Sequence, residues 1–268
     1  MFFKKLSAVL RIADWIIHLG WFVLGFVFSN RSILINMNFI KGITVACLCF
    51  LYGYAFNLLC DRPWSRWCWQ EYFIVLGSLL LLLVLASLYY AGFVFIFLIA
   101  VLLNTAYSLP GVSWKRVPVL SILINAYLFG SVFLFGSFVA VRHIEFRAIL
   151  MTCYIAALFM PAQILHEMAH AMEDNRHEYM SNNWRQYHHS LVGCCLLAMV
   201  FSVVLFMYLN LYVLFLQASV AFWIYMLYVF FRSPMRHAFS VEAAVNARKT
   251  YRMAGILLCC FYLVSFCG

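Results

Sequence analysis

Residues 73–107 contain no Asp, Glu, Lys or Arg, and neither do residues 189–231. Apolar runs of that length leave few folds open. In hydrocarbon every backbone N–H and C=O must be paired within the protein, so only helices and closed barrels cross a bilayer. The runs are continuous rather than alternating with period two, which selects helices over barrel strands. Over 268 residues only 10% are charged and 67% are hydrophobic, whereas a soluble domain carries about a quarter charged residues. The expected fold is therefore all-α, a polytopic membrane helical bundle.

About 20 residues of helix span the hydrocarbon. Cutting the chain at its polar breaks predicts about nine transmembrane helices, near 12–29, 39–60, 72–90, 91–108, 117–141, 147–165, 189–209, 210–231 and 253–267. They form a single transmembrane domain over 1–268. The breaks at 90–91 and 209–210 have almost no polar residues to mark them. Lys4, Lys5 and Arg11 precede the first apolar stretch, which ends at Asn30-Arg31 without a small-residue cleavage pattern and so reads as a signal anchor.

The net charge of +9 would suit a nucleic-acid partner, but the charges sit in short loops beside apolar spans. That is where topology-setting and lipid-facing charges belong, so a nucleic-acid partner is excluded and membrane lipids are expected. The N-terminus and the loops at 61–71, 109–116, 166–188 and 232–252 hold fourteen of the eighteen Lys and Arg residues. The positive-inside rule makes the protein an integral, multi-pass chain with its N-terminus and these loops in the cytoplasm. Seven of the nine acidic residues and six of the eight histidines lie on that same side. Carboxylates and imidazoles contribute little to topology, so their one-sidedness points to a shared polar site. The ten cysteines show no zinc-finger spacing and read as small core residues.

Three segments carry the chemistry. The second span ends in Asn57-Leu58-Leu59-Cys60-Asp61-Arg62-Pro63-Trp64-Ser65-Arg66. Asn57 and Asp61 are four apart and share a helix face, and Pro63 disfavours helix at Arg62. A carboxylate at a membrane helix end needs a cationic partner; Arg62 and Arg66 are the nearest in sequence. After the fourth span come Tyr107-Ser108 and then Lys115-Arg116, two adjacent cations able to clamp a phosphate. The sixth span ends in His166-Glu167-Met168-Ala169-His170-Ala171-Met172-Glu173-Asp174-Asn175-Arg176. His166, His170 and Asp174 recur every four residues, with Glu167 one position round from His166, so all four can point into one cavity.

Two chemistries fit these residues. His166-Glu167-x-x-His170 on a helix matches a zinc-dependent intramembrane hydrolase, with two imidazoles on zinc and the glutamate as general base. Such sites need a third protein ligand; no Asp-Gly dipeptide exists to supply it, although Asp174 could. Taken together, the three segments instead suit a diphosphate. Two acidic patches, with Lys115-Arg116 between them in sequence, would hold divalent cations that bridge to diphosphate oxygens, while the cations neutralise the remainder. The apolar bundle beneath would house an isoprenoid tail.

On these segments the chain resembles the UbiA family of intramembrane prenyltransferases, nine-helix proteins with aspartate-rich motifs ending helices 2 and 6. The first family motif runs Asn-Asp-x-x-Asp-Arg-x-x-Asp-Arg; here it is Asn57-Leu58-x-x-Asp61-Arg62-x-x-Ser65-Arg66. The second runs Asn-Asp-x-x-Asp-x-x-x-Asp-Arg; here it is His166-Glu167-x-x-His170-x-x-Glu173-Asp174, with Arg176 nearby. Tyr107-Ser108 through Lys115-Arg116-x-Pro118 to Asn125 is similar to the family's loop after helix 4. Leu58, Ser65 and His170 stand where the family carries aspartates. The resemblance implies transfer of a prenyl group from an isoprenoid diphosphate to a lipophilic or aromatic acceptor at the cytoplasmic face. It implies Mg2+ held by Asp61, Glu167 and Asp174 with help from Asn57 and His170, with Zn2+ or Mn2+ as alternatives because an imidazole joins the set. Arg62, Lys115, Arg116 and Arg176 would contact diphosphate, and His166 or Glu173 would serve as acceptor base. The missing aspartates also suit a degenerate member acting as a cyclase or a partner subunit.

Overall fold

The computed structural model describes residues 15–32, 35–61, 68–112, 114–169, 177–209, 211, 213–234 and 239–267. Among these there is no strand, and nine α-helices follow one another: α1 (Leu19–Asn30), α2 (Met37–Cys60), α3 (Trp69–Tyr89), α4 (Val94–Ser108), α5 (Pro118–Val141), α6 (Phe146–Ala169), α7 (His177–Leu209), α8 (Val213–Arg232) and α9 (Val241–Cys267). Eight are long and apolar enough to cross a membrane. With its 3-10 turn at Ile16–His18, α1 forms a shorter apolar segment, Ile16–Asn30. All ten cysteines are free.

Two helices start earlier than the hydropathy reading expects. α7 begins at His177 rather than 189, and α9 at Val241 rather than 253. The apolar pattern locates hydrocarbon, whereas a helix continues into polar turns because nothing there breaks it: neither 177–189 nor 241–253 contains Gly or Pro.

The break near residue 90 has its own cause. α3 stops at Tyr89, Tyr90 takes a non-helical conformation, and a 3-10 turn at Ala91–Phe93 leads into α4. The Tyr90 hydroxyl donates to the Asn38 carbonyl at 2.9 Å. Arg142 donates to the Tyr89 carbonyl at 2.8 Å and to Asn38 Oδ1 at 2.6 Å, and lies over the Tyr90 ring. A backbone carbonyl that leaves a helix inside an apolar segment thus finds a guanidinium as its donor.

The chain forms two compact units, Met1–Ala148 and Ile149–Gly268. In the first, α1 and α5 make the closest helix pair. A Cβ placed on Gly25 would run into the Phe133 carbonyl, and one on Gly136 into the Phe22 carbonyl. Lipid tails are as apolar as Leu, so burial gives membrane helices little reason to associate. Missing side chains let two backbones approach and gain dispersion contact instead. Phe22, Phe93, Phe97, Phe135 and Tyr90 fill the space beside this pair, with ring centroids about 5–6 Å apart.

Both helices of the pair end on a left-handed residue, Arg31 (φ 59°) and Arg142 (φ 65°), whose N–H groups close the last turn on Val27 and Phe138. Ser29 Oγ meets Ser137 Oγ at 2.5 Å and donates to Glu145 at 3.1 Å. Arg147 makes a two-point contact with the Glu145 carboxylate at 3.0 and 3.1 Å. Burial alone would raise the Glu145 carboxyl, but the Arg147 and Ser29 hydrogen bonds and the Arg147 charge outweigh it. They hold the carboxyl below the usual carboxylate range.

In the second unit α8 packs against both α7 and α9. A buried line of polar groups ties α6, α8 and α9. Ser219 Oγ donates to the Phe215 carbonyl at 2.7 Å, so it accepts from the Tyr262 hydroxyl at 2.8 Å. Tyr262 then accepts from Tyr154 at 2.7 Å, and Tyr154 from Trp223 Nε1 at 3.3 Å. Every proton in that line has one destination. Tyr251 adds a bond to the Leu158 carbonyl at 2.7 Å.

Candidate functional site

α2 runs out at Cys60, and Asp61 takes its C-terminal cap, with its N–H on the Asn57 carbonyl at 3.0 Å. Gly53, Asn57 and Asp61 are spaced by four and so form one stripe of α2. α4 lies against that stripe. Ser108, at the end of α4, donates from Oγ to Asn57 Oδ1 at 3.0 Å. The Asn104 amide lies 3.5 Å from where a Cβ on Gly53 would stand.

Lys115 completes the cluster from the 3-10 turn Trp114–Arg116. Its Nζ pairs with Asp61 Oδ1 and reaches Asn57 Oδ1 at 3.5 Å. Asp61 keeps 44% of its side chain exposed and Lys115 24%. Among the described residues the cationic partner of this helix-end carboxylate is Lys115, 54 residues on in sequence, supplied from the loop after α4. A turn deeper, Thr105 Oγ1 donates to the Val101 carbonyl at 2.7 Å and accepts from the Tyr52 hydroxyl at 3.1 Å. Polar groups therefore line the facing sides of α2 and α4 from Tyr52 to Asp61.

In the C-terminal unit Glu167 sits in the last turn of α6, 3% exposed. Its Oε1 accepts from Gln163 Nε2, one helical turn earlier, at 2.9 Å. His166 precedes it and is half-buried. Arg62, Arg66, His170, Glu173, Asp174 and Arg176, and the side chain of Arg116, lie outside the described residues. Among the described residues no three His, Cys, Asp or Glu side chains gather as a metal site.

The structure thus brings together three of the residues expected from sequence, Asn57, Asp61 and Lys115, and buries a fourth, Glu167, at the helix end foreseen for it. Sequence reasoning missed Asn104, Thr105 and Tyr52. The signal for Asn104 was its type: an amide that follows ten consecutive apolar residues of α4 (Val94–Ser108), one turn before Ser108. Its Nδ2 is buried and meets no acceptor among the described residues. Glu71 turns out to be a cap. It accepts from the Cys68 N–H at 3.2 Å and seals the start of α3. Asn125 likewise serves its own helix, donating to the Ser121 carbonyl at 2.9 Å.

In the N-terminal unit Asp61 and Asn57 offer hard oxygen ligands of the type Mg2+ and Mn2+ take; in the C-terminal unit Glu167 offers another, preceded by the nitrogen donor His166. Lys115 and Asn104 offer hydrogen-bond donors to an anion.

No family model and no curated protein matches the sequence. Solved structures do match. The chain is similar to a digeranylgeranylglyceryl phosphate synthase at TM-score 0.78 and 16% identity, over 99% of this chain and 98% of that one. It is also similar to a UbiA homologue from Archaeoglobus fulgidus at TM-score 0.75 and 14% identity, over 98% and 99%. The Cd2+-bound form of a UbiA homologue from the same organism matches at 0.74 and 15%, over 98% and 99%. The fold of this chain is the UbiA fold, end to end, and the protein is an integral multi-pass membrane protein.

Proposed function

We propose that this chain, with its UbiA fold, is an intramembrane prenyltransferase of one domain over 1–268. It would move a prenyl group from an isoprenoid diphosphate to a lipophilic or aromatic acceptor at the cytoplasmic face. The observation that carries the reading is the Lys115–Asp61–Asn57–Ser108 cluster at the ends of α2 and α4. A charged, partly exposed site capping an apolar bundle suits a ligand with an ionic head and a hydrocarbon tail. The whole-chain likeness to UbiA homologues supports the transferase and does not favour the zinc hydrolase.

In this reading Lys115, joined by Arg62, Arg116 and Arg176, neutralises diphosphate oxygens, and Asn104 Nδ2 donates to one of them or to the acceptor. Asp61, Glu167 and Asp174, with Asn57 and His170, would hold Mg2+, which when bound supplies charge that stabilises the departing diphosphate. The C1–O bond of the prenyl diphosphate breaks with its electron pair on diphosphate, and C1 bonds to the acceptor. His166 or Glu173 takes the proton the acceptor sheds. Asp61 then has two tasks. It steadies Lys115 before substrate arrives, and it shares in holding the cation afterwards.

The test is diphosphate release from geranylgeranyl and farnesyl diphosphate by purified protein, with Mg2+, Zn2+ or chelator, and with a set of lipophilic and aromatic acceptors. Asp61→Ala and Asp174→Ala are expected to abolish a Mg2+-dependent release while keeping the wild-type melting temperature. Release that persists in both variants, or tightly bound stoichiometric zinc without release, sinks the assignment.

A further inference from the structure

The first turns of α7 carry Trp184, Arg185, His188, His189 and Val192. These positions recur at intervals of four with their immediate neighbours, so they share one side of the helix. Together with Phe231, near the end of α8, they line a cavity of about 410 Å³ lying wholly within the C-terminal unit. None of these residues belongs to the proposed transferase site.

The chemistry of the lining is lopsided. One guanidinium and two imidazoles face the cavity, and among the described residues that line it none is acidic. Arg185 lies 5.6 Å over the Trp184 ring, which holds a long side chain in place. His188 is 6% exposed, and its Nε2 stands 3.4 Å from the Phe230 carbonyl, so that nitrogen carries the proton and fixes the tautomer. Trp184, Val192 and Phe231 make the remaining walls apolar. Its depth follows from the sequence: α7 turns uniformly apolar only beyond residue 190, and α8 ends at Arg232. The cavity therefore sits at the level where the helices leave hydrocarbon, with Trp184 where interfacial tryptophans collect.

We propose that this cavity is a phosphate-binding site, fitted to the phosphate of an anionic amphiphile with Arg185 and His189 as its donors. A cationic recess with apolar walls at headgroup depth is what a phosphate attached to a hydrocarbon requires. Free phosphate presents the same oxygens, and the experiment separates the two sources.

Native mass spectrometry of the purified full chain with phosphatidylglycerol, phosphatidylcholine or inorganic phosphate reads the site directly. The wild type is expected to hold phosphatidylglycerol about tenfold more tightly than phosphatidylcholine, the size of effect one charge-assisted bond gives. The double variant Arg185→Gln/His189→Gln, both positions exposed, should lose that preference while melting like the wild type. Arg232→Gln, a nearby cation stacked on Tyr228 and outside the lining, should keep it. If millimolar inorganic phosphate displaces the lipid, the site reads phosphate alone; if it does not, and the double variant still loses binding, the lipid headgroup is the ligand. Equal affinity for the two lipids overturns the proposal. So does a double variant that matches Arg232→Gln, or a zinc ion bound through His188 and His189 without lipid preference.

Discussion

The Asn57–Asp61–Lys115 cluster of the N-terminal unit carries two charges at helix ends and stays partly exposed. The Trp223–Tyr154–Tyr262–Ser219 line of the C-terminal unit carries no charge and is sealed within its bundle. Both are polar groups on apolar helices, where an unmet hydrogen bond is costly. Only the second is closed, with each donor spent on one acceptor and the last on a backbone carbonyl. A closed neutral line can only join helices. An open charged cluster, with a cation at its rim and Asn104 Nδ2 unmatched among the described residues, has capacity left for a ligand. Completeness of pairing, more than polarity, separates groups that hold this protein together from groups suited to chemistry.

Substituting Lys115 gives the largest contrast. Lys115→Met should lower the rate of prenyl-diphosphate turnover about 10²–10³-fold, as loss of one preorganised donor to developing negative charge does elsewhere. Steady-state kinetics check this, and the melting temperature should hold because the pair is partly exposed. If Tyr262→Phe cut turnover as deeply, the distinction between open and closed clusters would collapse.

The two units also join their helices differently: α1 and α5 through absent side chains at Gly25 and Gly136, the C-terminal helices through hydroxyls. Gly136→Val puts carbon into the Phe22 carbonyl and should destabilise the protein by about 3 kcal/mol, at the upper end of overpacking costs. Thermal melting in detergent reads this, and an unchanged midpoint would show that the helices can part freely. Tyr262→Phe should cost less, about 1 kcal/mol, the usual worth of a hydrogen bond between membrane helices. It strands Tyr154 without its acceptor while leaving the packing ring in place.

The smallest effect concerns Glu145. Its carboxyl is held below its usual range, so its contribution is complete above the unfolded carboxylate pKa and is lost as the pH falls through the lower, folded value. Melting temperatures measured from pH 7 down to about pH 3, spanning the ordinary carboxylate range, should fall more steeply for the wild type than for Glu145→Gln. Parallel curves would show that Arg147 and Ser29 do nothing for the ionised form.

Much of this was legible in the residues. Helix count and most boundaries follow from apolar runs, and α2, α4 and α6 end where the sequence places polar segments. The Asn57/Asp61 stripe follows from spacing by four. Other features needed contacts. Hydropathy showed a break near residue 90, but Tyr90, Asn38 and Arg142 explain it, and they come from three separate stretches. Arg62 and Arg66 are close to Asp61 in sequence, yet Lys115 is the partner that meets it in the described structure. Glu71 caps α3 through a local hydrogen bond that its place three residues after Cys68 would have suggested.

What the sequence determined by itself is everything that accumulates along the chain: hydrocarbon as solvent, helices as the only spanning element, and charges gathered in one set of loops. Apolarity is a local sum and needs no partner. What the tertiary structure alone decided is which faces meet: Gly25 against Phe133, Gly136 against Phe22, Lys115 on Asp61, and the proton line from Trp223 to Phe215. The physical reason is that these helices are apolar on nearly every side, so burial does not prefer one rotation to another. Rotation and register are chosen by close contact and hydrogen bonding between residues distant in sequence, and hydropathy carries no record of that choice.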